Sequence, residues 1–176
     1  EDPLAVAVAA SALPAMEEIA RAFEASEGGA PVILTSGASG DLERQVRQGA
    51  PVHLFFSADR ERVERLAAEG AVAPDSVAVY ALGELVFWQR EDAVPRLDSI
   101  EGLAAGGELG ARVAIANPAT APYGAAAAEV LAGLGIGVRD APENLIVGEN
   151  VRQAYEYART GNVDGAFTAR SIVVGE

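Results

Sequence analysis

The sequence contains no cysteine, and it lacks the short motifs that usually carry catalysis. Without cysteine there is no disulfide, no thiolate nucleophile and no cysteine-ligated metal. A Gly-x-x-x-x-Gly-Lys-Ser/Thr loop, a His-Glu-x-x-His motif and a Gly-x-Ser-x-Gly elbow are all absent. The single histidine, His53, starts a predicted strand, and we expect it to be structural. The sequence therefore favours neither an enzyme nor a protein with a bound metal cation or cofactor.

Long apolar runs and excess positive charge are also missing. No run approaches the ~20 apolar residues that cross a bilayer. The net charge is −13, which disfavours binding to nucleic acid or to anionic membranes. Half of the 176 residues are apolar, so the chain can bury a core. It begins abruptly at Glu1-Asp2, as a processed chain would, and we expect that a signal peptide was removed.

Apolar runs alternate with helical patterns along the chain. This alternation predicts an α/β protein with mainly parallel sheets and crossover helices, in two lobes over residues 1–78 and 79–176. The predicted strands are 4–9, 31–34, 54–56, 113–116, 145–147 and 165–168, and a strand-like stretch at 77–88 is the candidate crossing between lobes. The predicted helices are 13–26, 40–48, 60–69, 99–105, 125–134 and 151–160.

Four predicted strand-to-helix turns are candidate ligand-binding positions. They lie at Ser11, at Ser39, at Pro122-Tyr123-Gly124 and at Asn150-Val151. Ligands of open parallel sheets bind outside the carboxyl ends of the strands, and the first N–H groups of helices attract anions. None of these turns has lysine or arginine facing the helix start, which favours a compact, fully ionised oxyanion held by amides and hydroxyls.

Each of these features also has an ordinary structural explanation. A serine before a helix is usually an N-cap, Pro-Tyr-Gly is usually a turn, and Asn150 is most simply the cap of its own helix. The repetition of the construction, rather than any one turn, favours an anion site.

Two segments of the chain are specific when found together: the block Gly-Ala-Pro through Ser-Ala-Asp at 49–59, and Glu-Asn-Val-Arg-Gln-Ala at 149–154. The segments 9–11, 36–46, 115–118 and 122–124 accompany them at matching intervals. Together these segments resemble the molybdate-binding proteins of ABC transporters. The resemblance implies a type II periplasmic-binding-protein fold with a ligand cleft between two α/β lobes. It also implies a periplasmic or lipid-anchored protein, expected to be a monomer, that passes molybdate or tungstate to a membrane permease.

The same resemblance implies a set of oxyanion-binding residues. Ser11 and Ser39 would contribute hydroxyls and N–H groups, and Tyr123 and Val151 would contribute N–H groups, with a further N–H from Ala12. Many members carry a tyrosine hydroxyl near Phe167-Thr168, and here the Tyr123 hydroxyl is expected to replace it. Many members have aspartate where this chain has His53. Members are also roughly 50 residues longer, in a segment that returns to the first lobe.

Other functions fit parts of the same pattern. The same donors would also suit sulfate or phosphate, which the sequence hardly separates from molybdate. A serine-dependent hydrolase built on Ser11 or Ser39 is the enzymatic alternative, and the missing elbow disfavours it. A ligand-sensing module of a regulator would carry a DNA-binding helix pair, which the sequence does not show.

Overall fold

The computed structural model describes residues 2–94, 96–107, 109–138 and 143–174. The chain divides into two compact units, Glu1–Gly83 and Glu84–Glu176. The division falls within the stretch 77–88 that the sequence indicates as the crossing between lobes.

The first unit is built on a three-stranded parallel sheet in the order β2-β1-β3. Its strands are β1 (Leu4–Ala9), β2 (Val32–Gly37) and β3 (Leu54–Phe56). Its helices are α1 (Leu13–Glu24), α2 (Ser39–Arg47) and α3 (Arg60–Ala68), and a 3₁₀ turn spans Pro74–Ser76. The central strand β1 is the most buried because it has a strand on each side and helices on its faces.

Helices α1 and α2 lie on opposite faces of this sheet. The chain passes from β1 to its neighbour β2 through α1, then from β2 past β1 to β3 through α2. Since parallel crossovers are right-handed, the two opposite directions require opposite faces. Gly49 (φ 85°) and Gly70 (φ 77°) lie just beyond the ends of α2 and α3, and their left-handed conformations stop each helix.

The second unit contains a four-stranded sheet in the order β4-β7-β5-β6, in which only the pairing of β4 with β7 is antiparallel. Its strands are β4 (Leu85–Trp88), β5 (Val113–Ala116), β6 (Leu145–Gly148) and β7 (Gly165–Ala169). Its helices are α4 (Pro122–Gly133), α5 (Val151–Arg159) and α6 (Arg170–Val173), and a 3₁₀ segment spans Ile100–Gly107.

The two faces of this second sheet bury different side chains. On one face, Val113, Ile115 and Phe167 pack with Ala127 and Leu131 of α4. On the other face, small side chains of the strands pack against small side chains of α5, which lets the helix approach the sheet closely. The buried cluster on this face consists of Ala114, Ala154, Ala158, Val163 and Ala166. Helices α4 and α5 therefore flank β5 from opposite sides.

The fold class and the alternation of strands and helices are confirmed. The predicted helix at 99–105 is a 3₁₀ segment at Ile100–Gly107, and several other element ends differ from the prediction by one or two residues. Three element boundaries differ by three residues or more. Residues 77–84 are not a strand, because β4 begins only at Leu85. Strand β2 continues to Gly37, since Thr35 and Ser36 pair with β1 rather than turning away. Helix α4 begins at Pro122, because proline suits the first helical turn, where it needs no N–H partner.

Candidate functional site

Ser11 and Ser39 lie at the same edge of the first sheet. Strands β1 and β2 are parallel and in register, with Ala9 opposite Gly37. Each serine comes two residues after its paired strand residue, and Ala10 N donates to Gly37 O at 3.0 Å, which extends the pairing towards them. The parallel register thus brings together two serines that are far apart in the sequence.

Ser39 is a buried donor at the beginning of α2. Its side chain is 1% exposed, and its Oγ accepts a hydrogen bond from Ala58 N at 3.0 Å. Because that bond uses an oxygen lone pair, the hydroxyl hydrogen remains to be donated. Ser39 is also the first residue of α2, and a first-turn N–H has no acceptor inside its helix. Ser39 can therefore offer an O–H and an N–H to an anion.

The start of α1 differs from the sequence prediction. Ser11 is buried, with 7% exposure, and the N-cap position of α1 belongs to Ala12 rather than to Ser11. The prediction that Ser11 caps α1 is therefore wrong. Ala12 N already donates to Ala9 O at 2.8 Å in a tight turn, so its amide is committed within the protein. The oxyanion contacts of both residues remain predictions.

In the second unit, Tyr123 and Val151 begin two helices that follow neighbouring strands. Ala116 of β5 pairs with Gly148 of β6, and α4 and α5 start just beyond these two residues. Tyr123 is the second residue of α4 and Val151 is the first residue of α5. Both backbone N–H groups lie at the positive end of a helix macrodipole, where negative charge is stabilised.

Asn150 caps α5 in a way that spares Val151. Its Oδ1 accepts hydrogen bonds from Arg152 N and Gln153 N, each at 3.1 Å, which confirms the predicted cap. The side chain of Gln153 in turn accepts from Glu149 N at 2.6 Å. These bonds satisfy the amides around Val151, whose own N–H has no acceptor inside the helix.

Gly124 allows α4 to begin very close to the end of β5. A Cβ at this position would lie 2.3 Å from Ala116 O and 2.8 Å from the carbonyl carbon of Asn117. No side chain fits there without moving the backbone. The glycine next to Tyr123 thus fixes where the α4 amides stand relative to the strand.

Among the described residues of the first unit, Glu43 is the buried carboxylate, with 4% exposure. Burial alone would raise its pKa, but hydrogen bonds and charges from Arg65 and Arg62 outweigh that effect and lower the pKa. Glu43 is therefore ionised at neutral pH. Nothing in the sequence distinguishes Glu43 from the other carboxylates on these helices, such as Glu61 and Glu64, which are exposed.

Thr168 is a second buried polar group that the sequence did not single out as a donor. It is fully buried in β7, and among the described residues its Oγ1 has no hydrogen-bond partner. Strand alternation puts it on the same face as Ala166, against α5. An unsatisfied hydroxyl of this kind costs about 1–3 kcal/mol.

His53 has the structural role that the sequence indicates. Its Nδ1 accepts a hydrogen bond from Ala5 N at 2.9 Å, and its backbone N–H donates to Ala5 O at 2.9 Å. These two bonds begin the pairing of β3 with β1. Across the described residues, no group of three or more His, Cys, Asp or Glu side chains is arranged to hold a metal ion.

A largely apolar cavity of about 420 Å³ lies elsewhere in the first unit. It is bounded by β3, the start of α3 and residues 76–83, and neither Ser11 nor Ser39 lines it. Its apolar walls do not suit a small dianion. In the part of the chain that the structure describes, no helix is both long and apolar enough to cross a membrane.

A family described as bacterial extracellular solute-binding protein matches residues 4–175. The chain belongs to this family. Among its relatives, the molybdate-binding protein ModA of Rhodobacter capsulatus is 41% identical over 170 residues, which are 97% of this chain and 65% of that protein. ModA of Azotobacter vinelandii is 38% identical over 168 residues, covering 96% of this chain and 65% of the relative.

A solved structure supports the same membership in the solute-binding family. The periplasmic molybdate-binding protein of Azotobacter vinelandii superimposes with a TM-score of 0.82 at 35% identity, over 94% of this chain and 71% of that one. Its likeness confirms the predicted type II periplasmic-binding-protein fold class, with mainly parallel sheets flanked by helices. The chain spans about two thirds of the length of the curated relatives that it matches.

Proposed function

We propose that this solute-binding chain captures molybdate or tungstate outside the cytoplasm and delivers it to the membrane permease of an ABC transporter. The proposed contacts are the hydroxyls and amides of Ser11 and Ser39 and the amides of Tyr123 and Val151, with Ala12 as a weaker candidate. We also propose that the protein acts as a monomer, without catalytic activity and without a cofactor. Relatives named as molybdate-binding proteins at 38–41% identity support the choice of ligand.

The buried donor at Ser39 is the observation that carries this proposal. Its oxygen is held by Ala58 N–H, and its O–H and N–H remain at the start of a helix. A hydrogen bond to a charged group contributes about 1.5–3 kcal/mol, and a helix terminus adds about 0.3–1 kcal/mol. A few such groups together support tight binding without any cationic side chain.

Donor-only chemistry also bears on which anion is bound. Molybdate, tungstate and sulfate are fully ionised at neutral pH and need only donors. Monohydrogen phosphate carries a proton and requires an acceptor, which would have to compete with the N–H groups of the helix starts. Size then separates the remaining anions, because molybdate and tungstate have longer bonds to oxygen than sulfate.

Calorimetric titration of the purified chain with molybdate, tungstate, sulfate and phosphate tests the proposal. We expect saturable one-to-one binding of molybdate and tungstate, with sulfate and phosphate at least about a hundredfold weaker, a gap of about 2.7 kcal/mol. Equal binding of sulfate would overturn the choice of ligand. Binding of none of the four would overturn the function for this chain.

A pair of serine variants makes the test specific to the site. Ser39→Ala removes the proposed donor and should weaken molybdate binding about tenfold or more. Ser36→Ala is the matched control, because Ser36 is an exposed residue of the preceding strand. If both variants bind as the wild type does, the Ser39 hydroxyl does not contact the anion.

A further inference from the structure

The beginning of α2 is connected to the beginning of α3 through a buried carboxylate. Glu43 lies one helical turn after Ser39, on the same buried face of α2. Its Oε2 accepts from Arg62 Nη1 at 2.9 Å and from Arg65 Nη2 at 3.1 Å, and its Oε1 accepts from Arg65 Nε at 3.1 Å. We call Glu43, Arg62 and Arg65 the Glu43 clamp.

Arg62 extends the clamp to the residue that caps α3. Its Nε donates to Asp59 Oδ2 at 2.9 Å, while Asp59 Oδ1 accepts the helix-capping bond from Arg62 N at 3.0 Å. Asp59 directly follows Ala58, whose N–H supports Ser39 Oγ. The contacts therefore form a closed ring that runs from Ser39 through Ala58, Asp59, Arg62 and Glu43 back to Ser39.

This closed ring couples the contact of Glu43 with the arginines of α3 to the contact of Ser39 with Ala58. If α3 shifts relative to α2, Ala58 N moves relative to Ser39 Oγ, and the hydroxyl loses the bond that fixes its direction. The clamp suits this role because Arg65 binds the carboxylate with two parallel bonds, which define orientation as well as distance. Glu43 has little exposure to water, whereas Arg65 is 41% exposed, so the carboxylate is the fixed centre of the clamp.

We propose that Glu43 is a positioning residue for the anion site, and that it holds α3 where Ala58 N–H orients the Ser39 hydroxyl for donation. The proposal rests on the oxyanion-binding function proposed above. It assigns a role in binding to a carboxylate that never contacts the anion. It also explains how an ionised acid can stand one turn from a site for negative charge: the charge of Glu43 is matched by the two arginines of the clamp and by Arg47, whose Nη2 donates to Glu43 Oε1 at 3.0 Å.

The test is molybdate affinity of Glu43→Gln, measured by calorimetry at a temperature where circular dichroism shows the variant folded. Glutamine keeps the shape but replaces one carboxylate oxygen with an NH₂ group that cannot accept a hydrogen bond, so the two parallel bonds from Arg65 cannot both form. We expect about a tenfold loss of affinity, or 1.4 kcal/mol. Glu61→Gln is the matched control, because it removes an exposed partner of the same Arg65 and leaves the clamp intact. Its affinity should be unchanged.

A double-mutant cycle distinguishes positioning from general loss of stability. If Glu43 acts through the Ser39 hydroxyl, Glu43→Gln should have little further effect on affinity in a Ser39→Ala background. Equal losses in both backgrounds would overturn the proposal. Unchanged affinity of Glu43→Gln, with molybdate still bound tightly by the wild type, would overturn it and leave the proposed function standing.

Arg65→Lys keeps the inference testable if Glu43→Gln does not fold. Lysine preserves the positive charge but cannot make the two parallel bonds. We expect a loss of affinity of about threefold, which should also disappear in the Ser39→Ala background. An Arg65→Lys variant that binds like the wild type would show that the geometry of the clamp does not matter. Failure of the wild type to bind any of the four anions would instead refute the proposed function.

Discussion

Tyr123 is the candidate site residue whose expected side-chain role departs most from the family pattern. It stands at the second position of α4 and is half-buried, where a hydroxyl would add to the backbone donor. The strand residues Phe167 and Thr168 occupy the place where the resemblance implies a tyrosine.

We predict that Tyr123→Phe weakens molybdate binding about tenfold, because a hydrogen bond to a charged ligand contributes about 1.5–3 kcal/mol. Calorimetry measures the change. Tyr157→Phe, on the half-buried side of α5, is the control and should bind normally. An unchanged affinity for Tyr123→Phe would mean that only the backbone of this residue contributes.

Thr168 gives a prediction about stability rather than about anion binding. Its buried hydroxyl has no acceptor among the described residues, so Thr168→Val should remove an unsatisfied group while keeping the shape. We expect stabilisation of about 1 kcal/mol, or about 2–4 °C in Tm, with unchanged anion affinity. Thermal unfolding with and without molybdate measures both quantities. A loss of stability or of affinity would reveal a partner for the hydroxyl in solution.

Glu43 gives a prediction about pH. Its pKa is lowered in the folded chain because Arg65 and Arg62 outweigh the effect of burial. A lowered folded-state pKa means that the contribution to stability is complete above the usual glutamate pKa and is lost as the pH falls through the lowered value. The charged groups of this network are Glu43, Arg47, Arg62 and Arg65 with the outer partners Asp59, Glu61 and Glu69.

We therefore predict that Glu43→Gln destabilises the chain by about 1–3 kcal/mol at neutral pH, a figure reduced from that of fully buried pairs because Arg65 and Arg47 are partly exposed. The difference in unfolding free energy between the wild type and Glu43→Gln should narrow as the pH falls through the acid range. Urea unfolding of both proteins across a pH series measures it. A gap that stays constant into acid would show that the charge of Glu43 is not what stabilises the fold.

At the scale of elements, the cap of α5 connects stability with the site. Asn150 accepts bonds from two amides and so sets the direction of the first turn, where Val151 offers its N–H. Helix α5 is also packed along the alanine face of the second sheet, so only its first turn depends strongly on the cap.

We predict that Asn150→Ala costs about 1 kcal/mol, the usual value of an N-cap, and lowers Tm by about 2–4 °C. Molybdate affinity should fall as well, because the Val151 amide loses its fixed direction. Asn150→Ser restores a capping oxygen without adding charge and should recover both properties. If Asn150→Ala lost stability but kept full affinity, the start of α5 would not contribute to binding.

The elements themselves were largely predictable, and the exceptions have physical causes. Asn150 was correctly identified as a cap because capping depends on residues close in sequence. Ser11 is not the N-cap residue, because the tight turn from Ala9 to Ala12 places Ala12 directly before the first helical residue, Leu13. The stretch before Leu85 has strand-like composition, but only residues from Leu85 onward pair with β7.

At the scale of the whole molecule, the net charge of the chain and the charge of the proposed ligand have the same sign. The net charge is −13, so long-range electrostatics repel an anion, and any attraction must come from nearby donors. Dipolar donors act over short distances that dissolved salt hardly screens.

We predict that raising sodium chloride from about 0.02 M to about 0.2 M changes the molybdate Kd by less than about threefold, with no systematic weakening. Calorimetry at several salt concentrations measures this. A steady weakening of tenfold or more would indicate that cationic side chains bind the anion. Chloride competition is checked by repeating the series with a larger monovalent anion.

The sequence by itself determined the buried strands, most helix starts, the family and the candidate residues, because periodicity, capping and motif spacing are local properties of the chain. Only the tertiary structure decided that Ala58, 19 residues from Ser39, supports its hydroxyl, and that Glu43 is buried between arginines of another helix. Those contacts depend on which strands become neighbours and how helices pack across them. The free energy of such tertiary contacts depends on residues far apart in the sequence, so no local sequence pattern predicts it.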